Sequence, residues 1–309
     1  MYPKIKGVIV PPVTPFNAQG QIDLAAIKRL VDFLIERGIH GLFPGGTTGE
    51  GALLSIAERR QLAETFVAAA DGRVPVIIHT GAITTGDTID LTRHAQAIGA
   101  QAAAMIPPYF YHHRDEALQC HFETVAQQVP DFPIYLYNNP SVAGNNLSTP
   151  LVTQLLERCP NIVGMKDSST SLDTLFAVST ARNGAFNTAS GSDGQVLVGM
   201  AMGFDACVSG NANVAPELVV ALYHAASQGN LSLAREFQRK LNAVRQILKD
   251  GADLSLFKGI LAQRGLTVGD VRPPLLPASE AVVARCWQAL TALDLELIPA
   301  QGPHRLERR

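Results

Sequence analysis

Several familiar devices are missing from this chain, and each absence removes a class of function. Its four cysteines, Cys120, Cys159, Cys207 and Cys286, are far apart, with no CxxC and no metal-like pairing with histidine. They read as small buried or half-buried thiols in a reducing compartment rather than a disulfide framework. The eight histidines form no HxH and no HExxH, and His112 beside His113 is not spaced for one helix face. A metal-dependent hydrolase is therefore poorly supported, and no metal site is expected. GxSxG is absent, which argues against a Ser-His-Asp hydrolase. An excess of one charge is missing too: 25 Lys and Arg oppose 27 Asp and Glu, a formal net charge of -2. Neither nucleic acid nor an anionic membrane is an expected partner, and the basic HRLERR end reads as a short solvated tail. No apolar run is long enough to span a bilayer, and the N-terminal run is too short for a signal peptide, so the expected location is cytoplasmic.

What remains is a pattern of alternation. In 309 residues, 47% of them hydrophobic and 17% charged, short apolar runs are each followed by a helical pattern. The runs fall at residues 5–11, 41–46, 74–81, 102–111, 133–140, 162–169, 186–193 and 205–211. Between them, Asp23 caps an amphipathic segment stopped by Gly38, and Ser55 with Glu58 forms a capping box for a helix ending near Gly72. Further helices are expected over 86–98, 116–129, from Thr149-Pro150, over 172–182, in a short segment ending at Gly203, and from Pro216. Eight such repeats in about 225 residues predict a (β/α)8 TIM barrel over 1–225. An open doubly wound sheet is the alternative, but PPVTPF after the first run is no GxGxxG. Beyond residue 226 the strand pattern stops. Three helices over 231–248, 254–264 and 280–293, the last with Ser279 at its start, predict a C-terminal helical extension over 226–309. Such an extension packs on the barrel or makes a subunit contact.

Barrels of this class carry their reactive groups at the C-terminal ends of strands. The sixth run, Ile162-Val163-Gly164-Met165, ends on Lys166. Burying an ammonium is costly unless it is paired or gives up its proton, and an unprotonated amine is a nucleophile. Lys166 is thus a candidate to form a Schiff base with a 2-keto acid; the alternative is a lysine snorkelling into water. The second run ends in Gly45-Gly46-Thr47-Thr48-Gly49-Glu50, where converging amides and two hydroxyls suit a carboxylate or phosphate. It also reads as a flexible turn before a capped helix, and no GK[ST] follows to make a Walker loop. Strand alternation puts Tyr135 and Tyr137 on one face, with Leu136 on the other. Tyr137 is either a proton shuttle or an aromatic core residue with a satisfied hydroxyl. The seventh and eighth runs end in Ser190-Gly191-Ser192-Asp193 and Ser209-Gly210-Asn211, small polar loops that could meet hydroxyl-rich substrates or simply be loops.

GTTGE, then YNNPS, then GMKDSS, in that order at strand ends, resemble the dihydrodipicolinate synthase / N-acetylneuraminate lyase family over residues 5–225, with a helical tail that also fits. The lysine follows the tyrosine by 29 positions (166 minus 137). The resemblance implies a class I aldolase. In it Lys166 condenses with pyruvate or another 2-keto acid, Tyr137 relays protons, and Thr47, Thr48 and neighbouring amides, including Gly46, hold the carboxylate. Gly191 and Val208 would line the barrel around the adduct. The iminium is the electron sink, so neither cofactor nor metal is implied, and the family suggests a homotetramer.

Departures from the family pattern bear on the second substrate. Synthases that join pyruvate to aspartate semialdehyde carry an arginine in the YNxPxR segment, where Val142 stands here. Their relay tyrosine in the PYY segment, donated across a subunit interface, is matched by Phe110, leaving Tyr111 as a substitute. The lysine feedback site looks unmade, since Ile56, Arg59 and Ile83 stand where other polar or histidine contacts would be expected. The sialic acid lyases typically show GSTGE, which is a looser match. The expected function is therefore reversible cleavage of a 2-keto-3-deoxy sugar acid to pyruvate and an aldehyde, with Ser192, Asp193 and Asn211 meeting substrate hydroxyls. The alternatives are 4-hydroxy-tetrahydrodipicolinate synthase and, in another class, a non-catalytic barrel that binds a keto acid.

Overall fold

The computed structural model describes residues 2–169, 171–295 and 297. Among them eight parallel strands form one sheet: β1 (Gly7–Val10), β2 (Gly41–Leu42), β3 (Ile77–His79), β4 (Ala102–Met105), β5 (Ile134–Asn138), β6 (Ile162–Asp167), β7 (Asn187–Ser190) and β8 (Ala206–Val208). They neighbour one another in the order β2-β1-β8-β7-β6-β5-β4-β3. A parallel bridge between Leu42 and Val76, with Leu42 N donating to Pro75 O at 2.9 Å, joins the two ends. The fold is the expected (β/α)8 barrel.

Each strand is shorter than the apolar run that announced it. Ladder pairing ends where the chain turns outward, so the 102–111 run yields only Ala102–Met105. The helices follow the caps read from the sequence. Asp23 accepts from Ala26 N and starts Leu24–Glu36, and both halves of the Ser55 and Glu58 capping box are made at Ile56–Ala70. Ser279 sits at the start of Glu280–Thr291 without making a side-chain cap. One short helix was not anticipated, Pro140–Ala143 directly after β5.

Alternation along the strands divides the core in two. Val8, Val10, Met105, Leu136 and Met165 face the helices in the larger apolar layer. Ile9, Ile77, Ala104, Tyr135, Tyr137 and Val208 form the smaller cluster inside the barrel. Interior space is tight, and Gly164 shows why the sequence turns to glycine in mid-strand. A Cβ there would overlap the Tyr135 ring and come within 2.7 Å of Asn187 O. The freed volume lets the Tyr135 hydroxyl reach Asn187 Oδ1 at 2.7 Å.

The helices Leu231–Ile247, Leu254–Gln263 and Glu280–Thr291 make up the C-terminal part. Leu241, Val244, Phe257 and Ile260 belong to the same apolar layer as the strands. Two ionic ties reinforce the packing. Lys258 Nζ meets Glu50 Oε1 at 2.7 Å, both side chains essentially inaccessible. Arg272 grips both oxygens of Glu58 at 2.7 and 3.0 Å and also bonds Leu53 O. Of the cysteines, Cys159 and Cys207 are buried and Cys286 is half-buried, whereas Cys120 is exposed, on a helix face its neighbours leave open. No helix among the described residues is long and apolar enough to cross a membrane. The HRLERR end lies outside the described residues.

Candidate active site

Strands β5 and β6 set the centre of the site. Tyr137 and Lys166 are register partners, so both side chains leave the sheet on its inner face at the same height. Lys166 is buried, at 6% exposure, which excludes a lysine snorkelling into water. Its Nζ lies 4.0 Å from the centre of the Tyr137 ring and 4.7 Å from that of Phe43. One step on, Asn138 and Asp167 are also partners. Both are buried, and Asn138 Nδ2 donates to both Asp167 oxygens at 3.2 and 3.3 Å. This pair ties the two strand ends together one residue past the reactive groups.

The Tyr137 hydroxyl is a junction. Thr47 Oγ1 lies 3.2 Å from it, and Asn139 Nδ2 donates to it at 3.1 Å. Burial pushes the phenol up, but the Lys166 charge and hydrogen bonds from Thr47, Asn139 and Ser168 outweigh it and hold Tyr137 below its ordinary value. A tyrosine so placed can give and take a proton beside an amine. Its ring is packed edge-on to Phe43 and His79, with centroids 5.7 and 5.8 Å away. His79 is kept neutral by burial first, then by the charges of Arg59 and Lys166.

A cavity of about 400 Å³ opens above these groups. Thr47, Thr48, Tyr137, Lys166, Gly191 and Val208 all line it, as do Ser192, Asp193 and Asn211. Glycine at position 191 leaves room for the reactive side chain, because a Cβ would overlap Ser168 Oγ and sit 2.9 Å from Lys166 Cε. Asp193 and Asn211 form part of the wall. Asn211 donates to Asp193 Oδ2 through its backbone N at 3.2 Å and its Nδ2 at 2.7 Å. Burial pushes the Asp193 carboxyl up, against the pull of Ser209, Asn211 and the Arg245 charge.

Two of the expected residues lie elsewhere. Gly46 lines a separate cavity of about 250 Å³ behind Thr47, together with Arg59, His79 and Tyr109. There Arg59 is spent on Gly81 O and His79 O. Tyr111 is 64% exposed and stacks edge-on against Phe110, centroids 4.9 Å apart. Phe110 adopts a φ of 83°, and the turn it makes carries both rings onto the surface. Tyr111 is thus absent from the lining of its own chain's cavity.

Sequence reasoning missed part of the lining. Asn139 and Ser168 were within reach, standing inside the YNNPS and GMKDSS motifs. Arg245, Asp250 and Phe257 also line the cavity, but they come from the C-terminal helices, where no motif marks them. Among the described residues, no group of three or more His, Cys, Asp or Glu could hold a metal ion.

Known proteins share this sequence pattern and fold. The model of the dihydrodipicolinate synthetase family matches residues 4–293. A 4-hydroxy-tetrahydrodipicolinate synthase of Phenylobacterium zucineum (strain HLK1) is 36% identical over 93% of this chain and 97% of its own. YjhH of Escherichia coli (strain K12), described as a probable 2-dehydro-3-deoxy-D-pentonate aldolase, is 35% identical over 94% of this chain and 97% of its own. Among solved structures, YagE, a prophage protein of the dihydrodipicolinic acid synthase family from Escherichia coli K12, was crystallised with pyruvate. It superposes with a TM-score of 0.88 at 32% identity, covering 94% of this chain and 99% of its own. With a matching fold, full-length relatives and a strand-end lysine beside a tyrosine, this chain belongs to the dihydrodipicolinate synthetase family of pyruvate aldolases and lyases.

Proposed function

We propose that the protein cleaves, reversibly, a 2-keto-3-deoxy sugar acid into pyruvate and an aldehyde through a Schiff base on Lys166. The observation that carries this reading is the pairing of Lys166 with Tyr137 at one height in the barrel, beside two threonines. The amine adds to the keto carbon, and loss of water from the carbinolamine leaves an iminium. When the bond between C3 and C4 breaks, its electron pair flows toward the iminium nitrogen, leaving an enamine. Tyr137 takes the proton released from the C4 hydroxyl as the aldehyde forms, and proton return to C3 followed by hydrolysis frees pyruvate. Thr47 and Thr48, exposed and half-buried at the mouth of the cavity, hold the carboxylate by preorganised hydrogen bonds.

The relatives divide between a synthase and a sugar acid aldolase. Val142 in place of an arginine supports the aldolase side, because no cation stands there for the carboxylate of aspartate semialdehyde. We place the enzyme in the cytoplasm as a homotetramer, the exposed Phe110 and Tyr111 rings suiting a face covered by another copy. Borohydride treatment with pyruvate should fix a covalent adduct on Lys166, found by peptide mass spectrometry and lost in Lys166→Ala. A panel of 2-keto-3-deoxy acids, with aspartate semialdehyde condensation as the control, should then release pyruvate. Failure to trap an adduct would overturn the Schiff-base reading. Efficient condensation with aspartate semialdehyde alone would transfer the chain to the synthase. Pyruvate binding without any turnover would favour the non-catalytic barrel.

A further inference from the structure

The outer wall of the cavity does not come from the barrel. Arg245, in the last turn of Leu231–Ile247, and Asp250, in the 3-10 turn Lys249–Gly251, both line it. Arg245 Nη2 and Asp250 Oδ1 stand 3.0 Å apart. The guanidinium lies against the backbone of Gly194, where a Cβ would overlap it. Its charge is felt at Asp193, so this wall holds one cation against two carboxylates.

That balance has a consequence for what is held there. An arginine alone in a cavity attracts a carboxylate through paired charge-assisted hydrogen bonds. Here the partner position is already taken by Asp250, which would repel an incoming carboxylate at close range. A hydroxyl is different, because it accepts from the guanidinium and donates to Asp250 at once. Asn211 adds a buried Oδ1 with no partner among the described residues, an acceptor that a second hydroxyl would satisfy. We propose that the Arg245 and Asp250 pair is a specificity determinant that selects a neutral, polyhydroxylated aldehyde portion and rejects one ending in a carboxylate. This rests on the aldolase reading above.

The test compares two 2-keto-3-deoxy acids of equal length, one ending in a hydroxymethyl group and one in a carboxylate, by pyruvate release. The wild type should favour the hydroxymethyl substrate in kcat/KM by at least about tenfold, the scale of one charged hydrogen bond. Asp250→Asn, at an exposed position, should leave Arg245 uncompensated and shrink that preference about tenfold. Gly194→Ala, which displaces the guanidinium without removing it, should lower kcat/KM for the hydroxymethyl substrate while preserving pyruvate trapping on Lys166. A wild-type preference for the carboxylate substrate, or an unchanged ratio in Asp250→Asn, would overturn the proposal. Borohydride trapping in the same samples separates the two levels. An adduct with an unchanged ratio removes only the role of the pair, whereas no adduct in the wild type removes the aldolase reading and this inference with it.

Discussion

Tyr137 and Lys166 are register partners on neighbouring strands, and the lysine amine lies 4.0 Å from the centre of the tyrosine ring. The relationship separates two jobs that one residue performs. The ring packs between Phe43 and His79, while the hydroxyl joins Thr47 and Asn139. Tyr137→Phe keeps the first and removes the second. Turnover should fall by about 10²- to 10⁴-fold, the usual loss for an acid/base group, with thermal unfolding little changed. Steady-state pyruvate release and a melting curve on the same sample check both halves. A loss below fivefold would remove Tyr137 from proton transfer.

The last residue of GTTGE does structural work that its motif neighbours rely on. Glu50 is buried and left-handed, at φ 55°, and it meets Lys258 of the C-terminal helices at 2.7 Å. Burial pushes the Lys258 ammonium down, against the pull of Glu50. Breaking a buried pair from one side strands a charge and costs about 3–5 kcal/mol. Glu50→Gln should therefore lower the melting temperature strongly. It should also raise the KM for pyruvate, because the same loop carries Thr47 and Thr48. Adding Lys258→Met to Glu50→Gln should recover part of the stability. Strict additivity of the two changes would mean the charges do not act as a pair.

Acid should loosen a second tie. The hydrogen bond from Arg272 chiefly holds the Glu58 carboxyl low, with help from Ser55 and against a burial cost, at about 2 instead of 4.5. A carboxyl lowered on folding stabilises the fold fully above its unfolded value of 4.5. That contribution fades as pH falls from there through about 2. Glu58 is partly open to water, which screens the interaction, so its worth is about 1–2 kcal/mol. Glu58→Gln should be less stable than wild type at pH 7, and the gap should close near pH 2. Melting curves across that range test it, and a gap independent of pH would assign the loss to the helix cap instead.

The strand ends were legible because their chemistry is local. A run of period two that stops on lysine or tyrosine places that side chain in the barrel mouth, and Lys166, Tyr137, Thr47 and Gly191 all stand there. Asp193 and Asn211 were found by the same rule, although they bond each other. What could not be read depends on contacts across the chain. Arg245 belongs to an amphipathic helix whose pattern shows only which face is buried, and its place over Gly194 follows from docking that helix on the barrel. Tyr111 depends on contacts beyond its own chain: the positive φ of Phe110 turns it to the surface, where only a second copy could bring it to a site.

Two glycines of the same region should respond to one substitution in different ways. Gly164 and Gly191 each leave room beside a barrel-interior side chain, and neither needs a positive φ, so alanine tests space alone. At Gly164 the added methyl meets Tyr135 and the backbone of Asn187, groups fixed in the interior by their own hydrogen bond. Overpacking of this kind costs about 1–3 kcal/mol, and Gly164→Ala should show it as lost stability. At Gly191 the overlapping atoms are the ends of Ser168 and Lys166, which can move, and the backbone Asp167 O is met only at 3.1 Å, so the fold should survive. The moved amine is the proposed nucleophile, and a displacement of about 1 Å costs about 10²-fold in rate. Gly191→Ala should thus melt near wild type while forming the borohydride-trapped adduct far more slowly. A Gly191→Ala enzyme with normal trapping kinetics would show that Lys166 works from another position than the one it occupies here.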